Sequence, residues 1–226
     1  FEEKKLKMLK ENLLNVKNSL PANVKLVAVS KFKPLEDLMD AYNAGQRAFG
    51  ENRPQEMFEK QQNMPDDVEW HFIGSLQSNK VKLVVPKTFL IHSIDSRSLL
   101  VNVNKGAEKL NKIMDCLLEF HIAVEESKHG FSIDDAVEFL KSDEFKSLKN
   151  VRIRGVMGMA SFVDDENVVR QEFRRLKEYF DLIKTEFFAD ADYFTEISMG
   201  MSGDYKIAVE EGSTIVRVGS LIFGAR

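Results

Sequence analysis

The sequence holds a single cysteine, Cys116, so no disulfide can form within the chain. Its neighbours in Met114-Asp115-Cys116-Leu117-Leu118 read as a buried strand, which makes the thiol a small core group rather than a nucleophile. No apolar run approaches the about 18 residues that a transmembrane helix needs, and the amino end is charged rather than signal-like. The cytoplasm is therefore the expected location, with no membrane partner. An excess of positive charge is also missing. Lys and Arg number 32 against 36 Asp and Glu, a net charge of −4, which argues against nucleic acid or an anionic surface as the main partner. A Gly-x-Gly-x-x-Gly turn after the first strand is absent too, so the doubly wound dinucleotide-binding sheet lacks its usual phosphate turn.

What is present is a soluble globular composition, 43% apolar and 30% charged, in a length of 226 residues that suits one α/β barrel spanning 1–226. The chain begins at Phe1 without a methionine, so a few residues are expected to precede it. Leu6, Leu9, Leu13 and Val16 recur at helical spacing and predict an amphipathic first helix ending before Pro21. Strands are then predicted at 26–31, 47–52, 68–73, 89–94, 115–124, 152–157, 193–197 and 214–218. Helical patterns separate them, the clearest being Val169, Phe173, Leu176, Phe180 and Ile183. This alternation predicts a (β/α)8 TIM barrel with an extra N-terminal helix, whose active site lies at the carboxyl ends of the strands. The open doubly wound sheet is the structural alternative.

Leu26-Val27-Ala28-Val29-Ser30-Lys31 is a short apolar run that delivers one lysine to a strand end. Burial there would favour the neutral amine that a Schiff base requires. Lys33 shares that strand face but directly precedes Pro34, where the chain is leaving for a helix, so it ranks second. Barrel closure makes strands one, two, seven and eight neighbours. Their ends carry Lys31, Glu51-Asn52, Ser198-Met199-Gly200-Met201-Ser202-Gly203 and Gly219-Ser220. Small, hydroxyl-rich loops after strands seven and eight form the usual phosphate cradle of this fold. Arg217 shares a face with Gly219 by strand period and must meet an anion or an accepting group, either a ligand or an interior acid. An amine, a phosphate cradle and an arginine between them are together what pyridoxal phosphate (PLP) requires.

The chain resembles the YggS/PROSC family of PLP homeostasis proteins, whose barrel is similar to the N-terminal domain of alanine racemase, PLP fold type III. The matching runs are Val27-Ala28-Val29-Ser30-Lys31, Phe49-Gly50-Glu51-Asn52, His71-Phe72-Ile73-Gly74-Ser75-Leu76-Gln77-Ser78-Asn79-Lys80, Glu125-Glu126-Ser127-Lys128-His129-Gly130, Gly155-Val156-Met157, Ser198-Met199-Gly200-Met201-Ser202 and Gly212-Ser213-Thr214-Ile215-Val216-Arg217-Val218-Gly219. The resemblance implies an internal aldimine at Lys31, Arg217 at the pyridine nitrogen, and Gly219 and Ser220 with Ser198 or Ser202 at the phosphate. It also implies that Asn52 and Met157 line the ring.

An arginine partner leaves the ring nitrogen unprotonated and the electron sink weak. The racemases similar to this barrel take a second base from another domain, whereas this sequence ends at Arg226, just after strand eight. The first expectation is therefore a cytoplasmic, monomeric PLP carrier with PLP-dependent apo-enzymes as its recipients. The second is a racemase-like enzyme using His71, Tyr42 or Tyr205 as a base. A cofactor-free Schiff-base aldolase is a third reading of the same lysine and cradle. His71 reads first as a hydrogen-bonded structural histidine and second as an acid or base, Lys80 as a surface or rim residue, Lys128-His129-Gly130 as a turn, and Glu125 and Glu126 as solvated carboxylates.

Overall fold

A computed structural model describes residues 2–125 and 129–225. The first half of the chain runs α1 (Glu2–Asn18), β1 (Lys25–Val29), α2 (Leu35–Asn43), β2 (Ala48–Glu51), α3 (Pro54–Gln61), β3 (Glu69–Phe72), a single 3-10 turn (Ser78–Lys80), α4 (Val81–Val84) and β4 (Thr88–Ile94). It continues with α5 (Arg97–Glu108), β5 (Met114–Glu119), α6 (Ile133–Lys141), α7 (Asp143–Ser147) and β6 (Val151–Met157). The last elements are α8 (Glu166–Phe187), β7 (Glu196–Ser198), α9 (Tyr205–Glu210), β8 (Ile215–Val218) and α10 (Ser220–Phe223). All eight strands are parallel and close into a barrel in chain order. The closing seam pairs Lys25 with Ile215 and Val27 with Arg217, which excludes the open doubly wound sheet.

Strand period two sorts the residues. Outward-facing Ala28, Phe49, Trp70, Phe72 and Ile91 join the main core under the helices. Val27, Ala48, Leu90, Leu117, Met157 and Ile215 form a second, separate apolar cluster inside the barrel. Gly155 lets β6 approach β7: a Cβ there would sit 1.8 Å from the Glu196 carbonyl oxygen. Leu9, Leu13 and Val16 are buried along one side of α1, which packs on α2 and α10.

Most strand ends fall within one residue of the sequence expectation, and three differ by two or more. β1 stops at Val29, and Lys31 lies in a turn closed by Lys33 N–H donating to Ser30 O at 3.0 Å. β5 stops at Glu119 instead of reaching Val124 because Phe120, whose N–H makes the last bond to Met157 O, bridges Phe131 and the His121 N–H donates to the Phe131 carbonyl rather than to β6. Phe120 and Ile122 keep the strand-like apolar alternation because both are buried beneath that excursion. β7 starts at Glu196 and not Tyr193, since Phe194 serves the core by stacking on Phe188, 4.5 Å between centroids. Glu126 and Lys128, which the sequence assigns to a solvated face and a turn, lie outside the described residues.

Candidate functional site

A cleft of about 980 Å3 opens at the carboxyl ends of the strands. Of the residues singled out in the sequence, Lys31, Asn52, Ser202, Arg217, Gly219 and Ser220 line it. Lys33, Ser75 and His129 also reach it. Ser198 and Met157 do not. Ser198 is fully buried behind the cleft wall, where its Oγ accepts a 2.6 Å bond from Arg217 Nη1. Met157 belongs to the apolar cluster inside the barrel. Of the two serines considered at the phosphate, Ser202 is thus the one facing the cleft, and its Oγ accepts from the Gly219 N–H at 3.3 Å.

The turn bearing Lys31 is built on a buried ion-pair cage. Lys60, on α3, donates to Ser30 O at 2.8 Å, to Glu51 Oε1 at 2.6 Å and to Glu56 Oε1 at 2.8 Å. Ser30 Oγ donates to the same Glu51 oxygen at 2.7 Å, and Glu56 takes the Phe32 N–H at 2.7 Å. Phe32 has a φ of +62°, a left-handed conformation that a bulky side chain adopts only when its surroundings hold it there. Lys33 folds back to donate to the carbonyls of Phe223, Gly224 and Ala225, where the end of α10 favours a cation. Gly219 must approach β1 closely, since a Cβ there would lie 3.0 Å from Val29 O. The Lys33 cap is not visible in the sequence because its partners come from the far end of the chain, and of the Lys60 cage only the i, i+4 spacing to Glu56 is, since Ser30 belongs to another strand–helix unit.

Arg217 is 3% exposed, and burial pushes its guanidinium down to about 10 against the pull of Glu119 and Asp204. Glu119, at the end of β5, lines the cleft, and burial together with the like charge of Asp95 pushes its carboxyl up to about 7. Burial also raises Asp204, whose Oδ1 accepts the Met201 N–H at 2.7 Å. Neither acid was among the residues singled out in the sequence. Glu119 was findable, being the inward-facing strand-end residue two positions after Leu117. Asn52 Oδ1 is buried without a hydrogen-bond partner beside this cleft, an acceptor left for a ligand donor.

The alternative bases do not reach the cleft. His71 is fully buried, with Nδ1 2.8 Å from His92 Nε2. Tyr42 donates to Asp67 at 2.6 Å, and Tyr205 OH pairs with Ser19 Oγ at 2.8 Å. Lys80 is exposed outside the cleft. Cys116 is buried, and its thiol is pushed up by that burial. Among the described residues no cluster of His, Cys, Asp and Glu could hold a metal, and no helix is long and apolar enough to cross a membrane.

A primary amine, a buried guanidinium and two hydroxyl-bearing glycine turns around one cleft match the donor set that an aldehyde phosphate with a basic ring nitrogen needs. Residues 5–226 match the family model of the alanine racemase N-terminal domain. A pyridoxal phosphate homeostasis protein of Aquifex aeolicus is 40% identical over 203 residues, covering 89% of this chain and 87% of that one. PipY of Synechococcus elongatus PCC7942, solved with PLP bound, superposes with a TM-score of 0.86 at 34% identity, covering 96% of this chain and 100% of the other. An alanine racemase of Clostridium difficile 630 shares the fold at 15% identity, with a TM-score of 0.76 over 97% of this chain and 60% of its own. A match across nearly the whole length, with a relative at this identity, means that the chain belongs to the alanine racemase N-terminal domain family and, within it, to the pyridoxal phosphate homeostasis proteins.

Proposed function

We propose that this protein holds PLP in the cleft as a Schiff base with Lys31 and acts as a carrier in intracellular PLP homeostasis. The observation carrying this reading is the convergence of Lys31, Arg217 and the Ser202 and Gly219–Ser220 turns on one cleft. PLP would supply an aldehyde that condenses reversibly with a primary amine and a ring that withdraws electrons. The roles proposed for this chain follow from where its groups sit. The Lys31 amine is presented by a turn that Lys60, Glu51 and Glu56 hold rigid. Arg217 donates to the ring nitrogen and, having no proton to lose near neutrality, leaves it unprotonated. Ser202, Gly219 and Ser220 offer hydroxyl and N–H donors to the phosphate, and Asn52 contacts the ring. Met157 and Ser198 support the site from behind, Met157 as apolar filling and Ser198 through Arg217.

No base candidate named from the sequence lines the cleft, so the carrier reading is preferred to a racemase-like enzyme. The test is the visible spectrum of the purified protein before and after borohydride, followed by peptide mapping. A yellow band that borohydride bleaches, with the adduct on the Lys31 peptide and lost in Lys31→Ala, is the expected result. A colourless protein that takes up no added PLP would reject the proposal. Delivery to an apo-enzyme by a monomeric cytoplasmic carrier is the second half of the reading. It requires that the loaded protein activate a PLP-dependent apo-enzyme faster than the same amount of PLP released by spontaneous dissociation.

A further inference from the structure

The inside of the barrel carries a line of polar groups that the ligand-contacting roles above leave unexplained. Arg217 Nη1 donates to Ser198 Oγ at 2.6 Å, Ser198 Oγ lies 2.8 Å from His92 Nδ1, and His92 Nε2 lies 2.8 Å from His71 Nδ1. His71 Nε2 points on toward Glu69 Oε2 at 3.9 Å, beyond hydrogen-bond length but within charge–dipole range. Glu69 is in turn paired with Lys25 at 2.7 Å. Ser198, His92 and His71 are all fully buried, on β7, β4 and β3. The line therefore runs across the barrel interior from the cleft arginine to an ion pair at the amino ends of β1 and β3.

Its direction follows from the donor inventory. An arginine only donates, so one Ser198 lone pair is taken by Nη1. If His92 also donated to Ser198 through Nδ1–H, the serine would accept twice and its own hydrogen would be buried with nothing to receive it. That arrangement is costly in an enclosed site. Ser198 O–H therefore donates to His92 Nδ1. A neutral His92 then carries its proton on Nε2 and donates to His71 Nδ1, which places the His71 proton on Nε2, facing the Glu69 carboxylate. Reversing the line would strand the serine hydrogen at one end and turn a bare imidazole lone pair on a carboxylate at the other.

We propose that Ser198, His92 and His71 are positioning residues. Together they form a one-way hydrogen-bond line, both imidazoles neutral and both in the Nε2–H form, that locks the guanidinium of Arg217 in one orientation. With Nη1 bound to Ser198 and Nη2 bound to Gly158 O at 3.2 Å, the fork cannot turn without breaking two buried bonds. The charged groups facing the imidazoles are Lys25, Glu69, Glu196 and Arg217. Burial lowers the proton affinity of both rings, in keeping with neutral imidazoles. That the locked guanidinium meets a ring nitrogen rests on the function proposed above. The line itself is a property of the protein without cofactor.

The experiment is nitrogen-15 NMR of the cofactor-free protein at about pH 7, close to the ordinary histidine range. Long-range proton–nitrogen correlations report the tautomer of each imidazole, and exchange of the arginine Nη groups reports guanidinium rotation. In the native protein His71 and His92 are expected as neutral Nε2–H rings and Arg217 as slowly rotating. In Ser198→Ala the rotation is expected to speed up by at least about tenfold, as loss of one buried charge-assisted bond implies. An Nδ1–H form or an imidazolium at either position overturns the line, and that reading needs no variant, so a misfolded Ser198→Ala would not shield the proposal. Unchanged Arg217 rotation in a folded Ser198→Ala overturns the locking role. Failure of the native protein to take up PLP would reject the proposed function and leave these results standing, so the two failures are separable.

Discussion

Replacing Lys60 with methionine removes the one cation that joins Ser30, Glu51 and Glu56. The Lys60 side chain is 10% exposed, and that of Glu51, 2.6 Å away, is wholly buried. Glu51 Oε2 already lacks a partner, so in Lys60→Met the carboxyl keeps only the Ser30 hydroxyl. Breaking a buried pair by deleting one partner costs about 3–5 kcal/mol. For a domain of this size that corresponds to a fall in Tm of about 6–20 °C. The cost depends on pH, and its sign is fixed. Burial already raises the folded-state Glu51 carboxyl above its ordinary 4.5, and losing Lys60 raises it further. The folded variant thus binds a proton that the unfolded chain has released, and its stability falls as pH rises from the unfolded carboxyl value to the folded one. The loss is smallest in mild acid and largest above neutrality. Urea unfolding across that range is the assay. Lys60→Met with Glu51→Gln should recover about half the loss or more, since no charge is then stranded. A loss below about 1 kcal/mol at neutral pH would refute the reasoning, because that is the range of an exposed ion pair. So would a loss independent of pH.

Further expectations concern other parts of the barrel. Glu119 is 6% exposed with its carboxyl at about 7, above an ordinary 4.5, so the native protein loses stability as pH rises between those values. Glu119→Gln should remove that slope and gain up to about 3 kcal/mol above neutrality, read from paired urea curves; parallel curves for the two proteins at every pH would contradict the assignment. Gly155→Ala puts a methyl group 1.8 Å from the Glu196 carbonyl oxygen and should separate β6 from β7. The expected outcome is loss of soluble protein or a cost above about 4 kcal/mol, an exceptional value for one substitution, and a near-native Tm would show that the strands can part without penalty.

The barrel was legible in the sequence because its strands and helices are specified locally. An apolar run ending in Lys31, a helical stripe from Val169 to Ile183 and an inward Arg217 two residues before Gly219 each follow from short-range period and burial. Closure in chain order then brings the ends of β1, β2, β7 and β8 together, and most of the cleft follows. What only the tertiary structure decided are the contacts between units distant in sequence. Ser198 and Ser202 were equivalent on paper. The path of the chain after β7 puts one behind Arg217 and the other in the cleft. Nothing in the helical run 54–61 sets Lys60 apart from a solvated helix lysine, and only the packing of α3 against the β1 turn, which supplies the Ser30 carbonyl, buries it beside Glu51. Phe120 and Ile122 alternate like a strand, yet the strand ends at Glu119, because burial and not ladder pairing set that alternation. His71 and His92 lie on neighbouring strands, but Ser198 reaches His92 only across the barrel interior. Period and propensity act over a few residues and are written along the chain, whereas a hydrogen bond across a closed barrel depends on strand register and curvature, which exist only once all eight strands have met.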